Sequence, residues 1–536
     1  MAEANNDSPA PSVQKGFLGW VERTGNKLPD PVFIFFYLIL LLMVISVVCK
    51  WLGVSALHPS QVDAAGASTS IASKSLLSAE NIQKLWVEMP KTFTHFHPLG
   101  YVLVVMLGAG VAERSGLFAS GIRQAVKGAP LFLLTPVVAL VSMLSNHAAD
   151  AGYVVMIPLA AILFASVGRH PLAGIAAAFA GVSGGFSANI FPGQLDALLF
   201  GITEASVEGA GLTTDWTMNI AGNWYFIAAL MVIYLPVIWY VTDKIIEPRL
   251  GKWVPDESHA HEYGDEDKPL TDGERKGLRW AGLAILAVCA FWAVMTFAPG
   301  TPLLADEGAP AGQPWYVTAT PFFKSLVAGF MVLFLAAGWA YGKAAGTIND
   351  HRDLVNMMAE AMKDMGYYLV LAFAAAHFVA MFNWSNLGII SAIHGAGAIE
   401  NSGMPLPIVI GLIVIFAAIL NLFVGSASAK WALLAPVLVP MLMLLGLSPE
   451  AATAAYRVGD GATNIITPLM VYFPLILVFA RRWQKDFGLG SLTAMMIPYS
   501  IWMLITGVIL IMIWIALGIP LGTGAFPDFN LQGVTG

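Results

Sequence analysis

Long apolar stretches alternate with short polar segments along almost the whole chain. The first apolar stretch runs over residues 32–52. The others cover residues 98–116, 129–168, 171–205, 223–243, 279–297, 321–342, 366–384, 405–446, 449–480 and 491–518. Because a helix needs about 20 residues to cross a bilayer, this pattern predicts an all-α polytopic membrane protein.

Four of these stretches are interrupted by small or polar residues. Two of them are long enough for two short helices and have polar tips at 145–147 and 425–428. The other two break at 184–192 and 459–464. We interpret the first two as re-entrant hairpins, since their tips are short and uncharged, and the other two as broken helices. The predicted fold has nine transmembrane helices, two re-entrant hairpins and two broken helices.

Composition and charge agree with this interpretation. Apolar residues make up 57% of the chain and charged residues only 11%, whereas soluble proteins carry about 25% charge. The formal net charge of −7 argues against a nucleic-acid partner. With a cytoplasmic N-terminus, 20 of the 27 Lys and Arg residues fall in predicted cytoplasmic segments, as the positive-inside rule requires. Lys430 and Arg457 instead fall at membrane depth.

The predicted organisation has six parts. They are a cytoplasmic N-terminal segment at 1–30, the first spans and an outer loop at 31–128, a first repeat at 129–205, connecting spans and scaffold at 206–404, a second repeat at 405–482, and the last span with the C-terminus at 483–536.

The two units of hairpin and broken helix resemble each other. Pro158 and Pro171 are thirteen residues apart in the first unit, as are Pro436 and Pro449 in the second. The predicted topology makes the repeat inverted, although chance similarity among Gly- and Pro-rich helices is an alternative. Inverted repeats with broken helices are typical of secondary transporters, which bind their ligands near the membrane midplane.

Ionisable residues at membrane depth are the first candidates for function. The carboxylates there are Asp150, Asp196 and Asp460. Arg457 precedes Asp460 by three residues, so the two share one helix face. They form either a structural ion pair or a site in which Arg457 attracts an anion and Asp460 exchanges a cation.

Oxygen-bearing side chains cluster around each tip and break. In the second repeat they are Asn421, Ser426, Ser428, Thr463, Asn464 and Thr467, and in the first they are Ser145, Asn146, Ser187 and Asn189. These groups either bond to their own helices or line a cavity with a cation such as Na⁺. Trp431, on the same face as Ser428, either stacks on an aromatic ligand or packs internally. His147 in the first tip is a proton relay or a helix cap.

Other chemistry has little support in the sequence. Neither a Walker A motif nor an HExxH motif is present, which argues against an ATP-driven pump and a zinc protease. A channel does not need paired inverted hairpins. A membrane-embedded hydrolase, which also needs buried carboxylates, is the competing class.

Three segments resemble the p-aminobenzoyl-glutamate transporter (AbgT) family of bacterial inner-membrane transporters. They are GWVERTGNKLP at 19–29, SNHAADAGY at 145–153 and YRVGDG at 456–461. The resemblance runs nearly end to end. It implies a multi-pass homodimer in the inner membrane, each subunit having nine spans and two re-entrant hairpins.

The resemblance also implies roles for individual residues. The expected substrate path comprises Asp196, Ser428, Trp431, Pro449, Arg457 and Pro468. The expected cation site comprises Asn421 and Asp460. On side-chain chemistry and predicted depth alone, we add Ser426 and Asn464 to this site and expect Ser145, Asn146, Asp150 and Asn189 to line a cavity in the first repeat.

The function of this family is described in two ways. One is uptake of p-aminobenzoyl-glutamate driven by Na⁺ or protons, and the other is proton-driven export of sulfonamides. Both ligands contain a p-aminobenzene ring, which Trp431 would contact, while Arg457 would suit the glutamyl carboxylates. The expected partners are therefore the small-molecule substrate, the coupling ion and membrane lipid, without a cofactor.

Overall fold

The computed structural model describes residues 30–62, 68–126, 131–148, 152–212, 216–253, 270–298, 300–303, 320–467, 469–470 and 472–530. Within these ranges the chain is mostly helical. The helices are α1 Pro31–Trp51, α2 Ala79–Thr94, α3 His97–Arg114, α4 Leu117–Val126, α5 Leu134–Leu144, α6 Ile157–Ser166, α7 Pro171–Phe179, α8 Gln194–Ala210, α9 Trp224–Tyr240, α10 Glu247–Leu250, α11 Asp272–Phe297, α12 Thr320–Ala345, α13 His351–Asp364, α14 Gly366–Trp384, α15 Leu387–Asn401, α16 Leu406–Asn421, α17 Ala427–Leu444, α18 Pro449–Asn464, α19 Phe473–Trp483 and α20 Leu489–Ala516.

Eight helices among the described residues are long and apolar enough to cross a membrane. They are Pro31–Trp51, Ala79–Arg114, Trp224–Leu250, Asp272–Phe297, Pro321–Ala345, Gly366–Trp384, Ala427–Leu444 and Leu489–Ala516. The prediction of a helical protein with many spans is confirmed at this level. The count of nine spans and two re-entrant hairpins stays a prediction.

Shorter apolar helices occupy most of the predicted repeats. They are Leu131–His147, Gly152–Ser166, Pro171–Gly184 and Leu406–Asn421. The 16 residues of α16 extend for about 24 Å at 1.5 Å per residue, which is less than the roughly 30 Å of a hydrocarbon core. This is the length expected of a hairpin arm that enters the membrane without crossing it.

The first repeat runs from α5 through a polar tip to α6, and then through α7 to α8. A five-residue π-helix, Ala180–Gly184, follows α7, and residues 185–193 separate it from α8. Asp196 lies in the first turn of α8, where its Oδ2 accepts a 2.7 Å hydrogen bond from the Gly193 N–H. The break therefore fixes Asp196 at a helix start, where a carboxylate satisfies an unpaired backbone N–H.

The second repeat runs from α16 through residues 422–426 to α17, and then through α18 to α19. Ser426 and Ser448 cap α17 and α18, each accepting a hydrogen bond from a backbone N–H three residues later. The predicted break at 459–464 is wrong, because these residues form the last turns of α18. The interruption begins after Asn464.

The glycines on which the predicted break at 459–464 was based instead allow helices to pack closely. A Cβ on Gly459 would lie 2.3 Å from the Val414 carbonyl oxygen of α16. The paired prolines of the two repeats are 278 residues apart in the sequence. By the same offset, Gly181 in the first repeat corresponds to Gly459 in the second. A Cβ on Gly181 would lie 3.0 Å from the Ala139 carbonyl oxygen of α5. In each repeat, this glycine lets the broken helix approach the first arm of its own hairpin.

The two repeats meet at their broken helices. A Cβ on Gly461 of α18 would lie 3.0 Å from the Gly184 carbonyl oxygen at the end of the first π-helix. Helix α17 of the second hairpin also packs against α8 of the first repeat. Side chains from both repeats therefore lie close together near the breaks. Whether the repeats are inverted stays a prediction.

Segments predicted as loops contain additional structure. Strands β1 (Ser55–Val62) and β2 (Ser68–Ala72) form an antiparallel pair, with Ser55 opposite Ala72 and Leu57 opposite Ser70. Helix α15 lies between the apolar stretches at 366–384 and 405–446, where no helix was predicted. The fold is therefore mostly helical rather than purely helical. A search for long apolar stretches does not detect short ribbons or half-exposed helices.

Candidate functional site

A cavity of about 340 Å³ lies beside the first break. Its wall comes from the first hairpin tip, the break, the start of α8, helix α3, the junction of α13 and α14, and Arg457 of α18. Both repeats therefore contribute to one cavity, together with helices outside the repeats. Its volume is in the range that small-molecule sites occupy.

Arg457 and Asp196 form a buried ion pair in the wall of this cavity. Arg457 Nη1 donates to Asp196 Oδ1 at 2.6 Å, and the two side chains are 2% and 5% exposed. The pair joins α18 to α8, which are on different repeats. Because removing a charge from water is costly, a buried pair of this kind is held by close geometry and further hydrogen bonds.

The predicted pairing of Arg457 with Asp460 is not what the structure has. Every residue of α18 is buried, so partners are available from the elements packed around it. Arg457 pairs with Asp196 and Asp460 pairs with Lys430. Arg457 and Asp460 do lie on the same helix, as predicted, but each pairs with a residue of another helix.

Polar atoms in the cavity wall lack hydrogen-bond partners in the described part of the chain. They are His147 Nε2, Asn189 Oδ1, Tyr368 Oη and Arg457 Nε. His147 and Asn189 are neighbours, but these two atoms do not meet with hydrogen-bond geometry. Buried polar atoms are normally satisfied. The wall therefore holds several buried donors and acceptors, which a polar ligand or water would satisfy if the wall opened locally.

A second ion pair lies in the wall of the same cavity. Arg114 at the end of α3 pairs with Asp364 at the end of α13. The Arg114 side chain is 25% exposed and that of Asp364 is 64% exposed, so this pair is in contact with solvent. The cavity thus has one enclosed arginine, Arg457, and one partly exposed arginine, each already opposite a carboxylate.

Aromatic and apolar side chains complete the wall. Tyr153, Phe186 and Tyr368 line the cavity, and Tyr153 also stacks on Tyr472 with ring centroids 4.3 Å apart. Apolar side chains from α3 and α8 also line the cavity. The cavity can therefore hold a flat ring beside its charged groups.

The predicted cation site in the second repeat is a dense polar cluster. Lys430 Nζ contacts both Asp460 Oδ1 and Asn421 Oδ1. The Asn421 amide N–H₂ donates to the Asp460 carbonyl at 2.6 Å, to Thr463 Oγ1 at 2.9 Å and to Asn464 Oδ1 at 2.8 Å. Two of the side-chain oxygens predicted to bind a cation, Asp460 Oδ1 and Asn421 Oδ1, therefore accept from a lysine ammonium. Asp460 Oδ2 is buried without a hydrogen-bond partner among the described residues.

Trp431 lies between the repeats without lining the cavity. Its indole Nε1 donates to the Leu199 carbonyl and to Thr203 Oγ1 of α8, at 3.2 and 3.0 Å. The ring stacks on Tyr456 with centroids 4.6 Å apart, and Trp431 has no exposed surface. A contact with a ligand would require α17 and α8 to separate.

The remaining second-repeat candidates have local contacts. Ser428 Oγ lies 3.2 Å from Ser426 Oγ. Pro449 opens α18, eight residues before Arg457, or about 12 Å away along the helix. Pro468 lies outside the described residues.

In the first repeat, the tip lies beside the cavity. Ser145 Oγ and Asn146 Nδ2 bond to carbonyls three residues earlier, those of Ser142 and Met143. Asn146 and Asn189 line the cavity. Asp150 lies outside the described residues.

Sequence reasoning missed several lining residues. The sequence did not indicate that Arg114 lines the cavity, because its partner Asp364 is 250 residues away. Outside the cavity, the sequence placed Lys430 at membrane depth but did not identify Asp460 and Asn421 as its contacts.

The fold and the site together define a membrane transporter. Many apolar helices surround a polar cavity, and two repeats with helix breaks place buried charges beside it. This arrangement is typical of carriers that bind a solute within the membrane.

Comparisons with known proteins agree with this class. The chain matches the profile of the "AbgT putative transporter family" over residues 16–529. It is 37% identical over 527 residues to the p-aminobenzoyl-glutamate transport protein of Escherichia coli (strain K12), which covers 97% of this chain and 99% of the relative.

Two solved structures are also similar. The YdaH transporter of Alcanivorax borkumensis has a TM-score of 0.83 and 40% identity, covering 92% of this chain and 100% of YdaH. MtrF of Neisseria gonorrhoeae, described as illuminating a class of antimetabolite efflux pumps, has a TM-score of 0.85 and 41% identity, covering 93% of this chain and 97% of MtrF.

The chain therefore belongs to the AbgT transporter family, which confirms the resemblance in its sequence. It is a multi-pass membrane transporter and not an enzyme, because the family and these relatives are transporters. The alternative of a membrane-embedded hydrolase is excluded on the same ground.

Proposed function

We propose that this chain is a secondary active transporter of aromatic carboxylates of the p-aminobenzoyl-glutamate class. The name of the Escherichia coli relative, which is 37% identical, supports this substrate. The ligand carries a ring and two carboxylates, and the cavity beside the first break combines aromatic side chains with two arginines.

The observation that carries the proposal is the state of Arg457. Nη1 is engaged by Asp196, while Nε lacks a partner among the described residues. Nε is also buried, so a ligand carboxylate would accept from it only after a local movement of the cavity wall, and the ion pair to Asp196 could stay intact. The second carboxylate would contact Arg114, and the ring would lie against Phe186, Tyr153 and Tyr368.

Transport against a gradient needs a coupling ion, which we propose to be Na⁺ or H⁺. The polar cluster at Asn421, Lys430 and Asp460 supports an ionic coupling site, since buried ionisable groups within a membrane are costly and mark ion pathways. The other proposed parts of the ligand path are Ser428, Trp431, Pro449 and Pro468, and of the ion path Ser426 and Asn464.

A second candidate function is proton-driven export of sulfonamides. It is favoured by the likeness to MtrF, and the shared p-aminobenzene ring would let one cavity accept both ligands. Sulfonamides lack the glutamyl carboxylates, so they would depend much less on Arg457.

The two ligand classes can be separated with Arg457→Met. We expect its affinity for p-aminobenzoyl-glutamate to fall about 10- to 100-fold, because a hydrogen bond to a charged group contributes roughly 1.5–3 kcal/mol. Sulfonamide affinity should change less than about threefold. Binding to the purified protein by microscale thermophoresis measures both values.

Two further variants control this experiment. Arg482→Met removes an exposed arginine and should leave both affinities unchanged. Arg457→Met with Asp196→Asn avoids an unpaired buried carboxylate and should reproduce the loss. An equal loss for both ligands would instead give Arg457 a structural role.

We also propose that the chain is a homodimer in the bacterial inner membrane with a cytoplasmic N-terminus. The exposed apolar surfaces of α1 and α11, which are little buried within the subunit, support contact with lipid or a partner. Light scattering of the detergent-solubilised protein tests the dimer.

A further inference from the structure

Lys430 lies within the cluster where a coupling cation was expected. It is 2% exposed, and Asp460 is fully buried. Its ammonium contacts one oxygen of Asp460 and the side-chain oxygen of Asn421. These are the two groups that the sequence predicted as ligands of Na⁺, so the lysine and the ion would compete for Asp460 Oδ1 and Asn421 Oδ1. Asp460 Oδ2 is buried without a hydrogen-bond partner among the described residues.

The rest of the cluster orients these oxygens toward the ammonium. The Asn421 amide N–H₂ is fixed by its three acceptors, the Asp460 carbonyl, Thr463 and Asn464, so its oxygen points the other way, at Lys430. Tyr456 Oη lies 3.3 Å from Asp460 Oδ1. The lysine already neutralises the Asp460 charge, and an added monovalent cation would leave the enclosed cluster with a net positive charge, which is unfavourable.

The fold does not require charged groups at these positions. The offset of 278 residues between the repeats takes Lys430 to Gly152 and Asp460 to Val182. In the first repeat these two positions are also adjacent, since a Cβ on Gly152 would lie 3.1 Å from Val182 Cγ1. The first repeat thus has uncharged residues at the two positions where the second repeat has an ion pair. This difference points to a function for the pair.

We propose that Lys430 is a tethered cation that takes the place of Na⁺ in the second repeat, so that this transporter works without binding Na⁺. The inference rests on the proposed coupling to a cation gradient and narrows its identity. A tethered ammonium has a high effective concentration at its site, which gives it a large advantage over free Na⁺.

The test is the effect of Na⁺ on thermal unfolding of the purified protein in detergent. NaCl replaces choline chloride at constant ionic strength. The Tm of the wild-type protein should shift by less than about 1 °C, because a ligand that does not bind does not stabilise. Lys430→Met leaves the oxygens of Asp460 and Asn421 available, and its Tm should rise saturably with Na⁺ by about 3 °C or more.

Lys430→Met with Asp460→Asn is the matched control, and its Tm should not respond to Na⁺. A saturable Na⁺ shift in the wild-type protein would overturn the proposal, and so would a folded Lys430→Met variant without a shift. If that variant does not fold, ²²Na⁺ binding to the wild-type protein decides the question, with no binding expected. No transported substrate is needed, so an error in the proposed substrate would not affect this test.

Discussion

Among the described residues of the repeats, the side chains of Arg457 and Lys430 are buried cationic groups, and each pairs with a carboxylate on another element. Arg457 of α18 pairs with Asp196 of α8, while Lys430 of α17 pairs with Asp460 of α18. The two pairs differ in setting. The first lies in the wall of a cavity with unsatisfied polar atoms, whereas the second is enclosed within the second repeat. We therefore assign the first to the solute and the second to coupling.

Asp196 neutralises the Arg457 guanidinium from the side of Nη1 and so weakens its attraction for a ligand carboxylate at Nε. Asp196→Asn should lower the stability of the ligand-free protein, because breaking a buried pair costs about 3–5 kcal/mol. A bound carboxylate would then become the counter-ion of Arg457. Thermal unfolding should show a lower Tm without ligand and a larger upward shift with p-aminobenzoyl-glutamate than the wild-type protein shows.

Asp364→Asn at the partly exposed pair is the control for this variant. Exposed pairs contribute about 0–1 kcal/mol, so its Tm without ligand should be close to that of the wild type. If Asp196→Asn showed no ligand-induced shift at all, Arg457 would not be the carboxylate site.

At this scale the sequence predicted the burial of these charged residues better than it predicted their contacts. The depth of Asp196, Lys430 and Arg457 followed from hydropathy alone. The pairing of Arg457 with Asp196 spans 261 residues, and helical periodicity relates only residues three or four apart. The partner three residues along, Asp460, was therefore the one that the pattern suggested.

At the scale of elements, the packing of each broken helix on its hairpin depends on glycine. Gly459 has no room for a side chain beside α16, and small residues commonly allow helices to approach closely in membranes. This contact holds α18, and with it Arg457 and Asp460, in place.

Gly459→Ala should therefore destabilise the protein. The added methyl group would lie 2.3 Å from the Val414 carbonyl oxygen, and overpacking of this kind costs about 1–3 kcal/mol. Thermal unfolding in detergent should show a clear decrease in Tm. Gly282→Ala is the control, because nothing lies within 4 Å of its Cβ position and alanine favours a helix by about 1 kcal/mol. Equal effects of the two substitutions would show that the contact is not critical.

The sequence placed the first break well, since residues 185–193 do separate two helices. It misplaced the second break, because glycine in a helix serves either flexibility or close packing. Gly459 and Gly461 serve packing, and only the neighbouring elements reveal this.

At the scale of the whole molecule, the two repeats contribute to different sites. The first repeat supplies much of the cavity wall, and the second contributes Arg457 to it and holds the buried cluster at Lys430. Both are joined through α8, which contacts α17 and α18. A movement that breaks the Arg457–Asp196 pair would thus change the cavity and the packing of the second hairpin together.

We propose that aromatic carboxylates bind in this cavity and are transported across the membrane. The most direct test of this proposal is flux of radiolabelled p-aminobenzoyl-glutamate in proteoliposomes, with proton and Na⁺ gradients imposed separately and in both orientations. We expect ligand movement against its own gradient with a proton gradient in Na⁺-free choline buffer, and its loss in Arg457→Met. The contrary result is a p-aminobenzoyl-glutamate flux no greater than that of protein-free liposomes under every gradient, while sulfonamides are transported. That result would make the chain an exporter of sulfonamides.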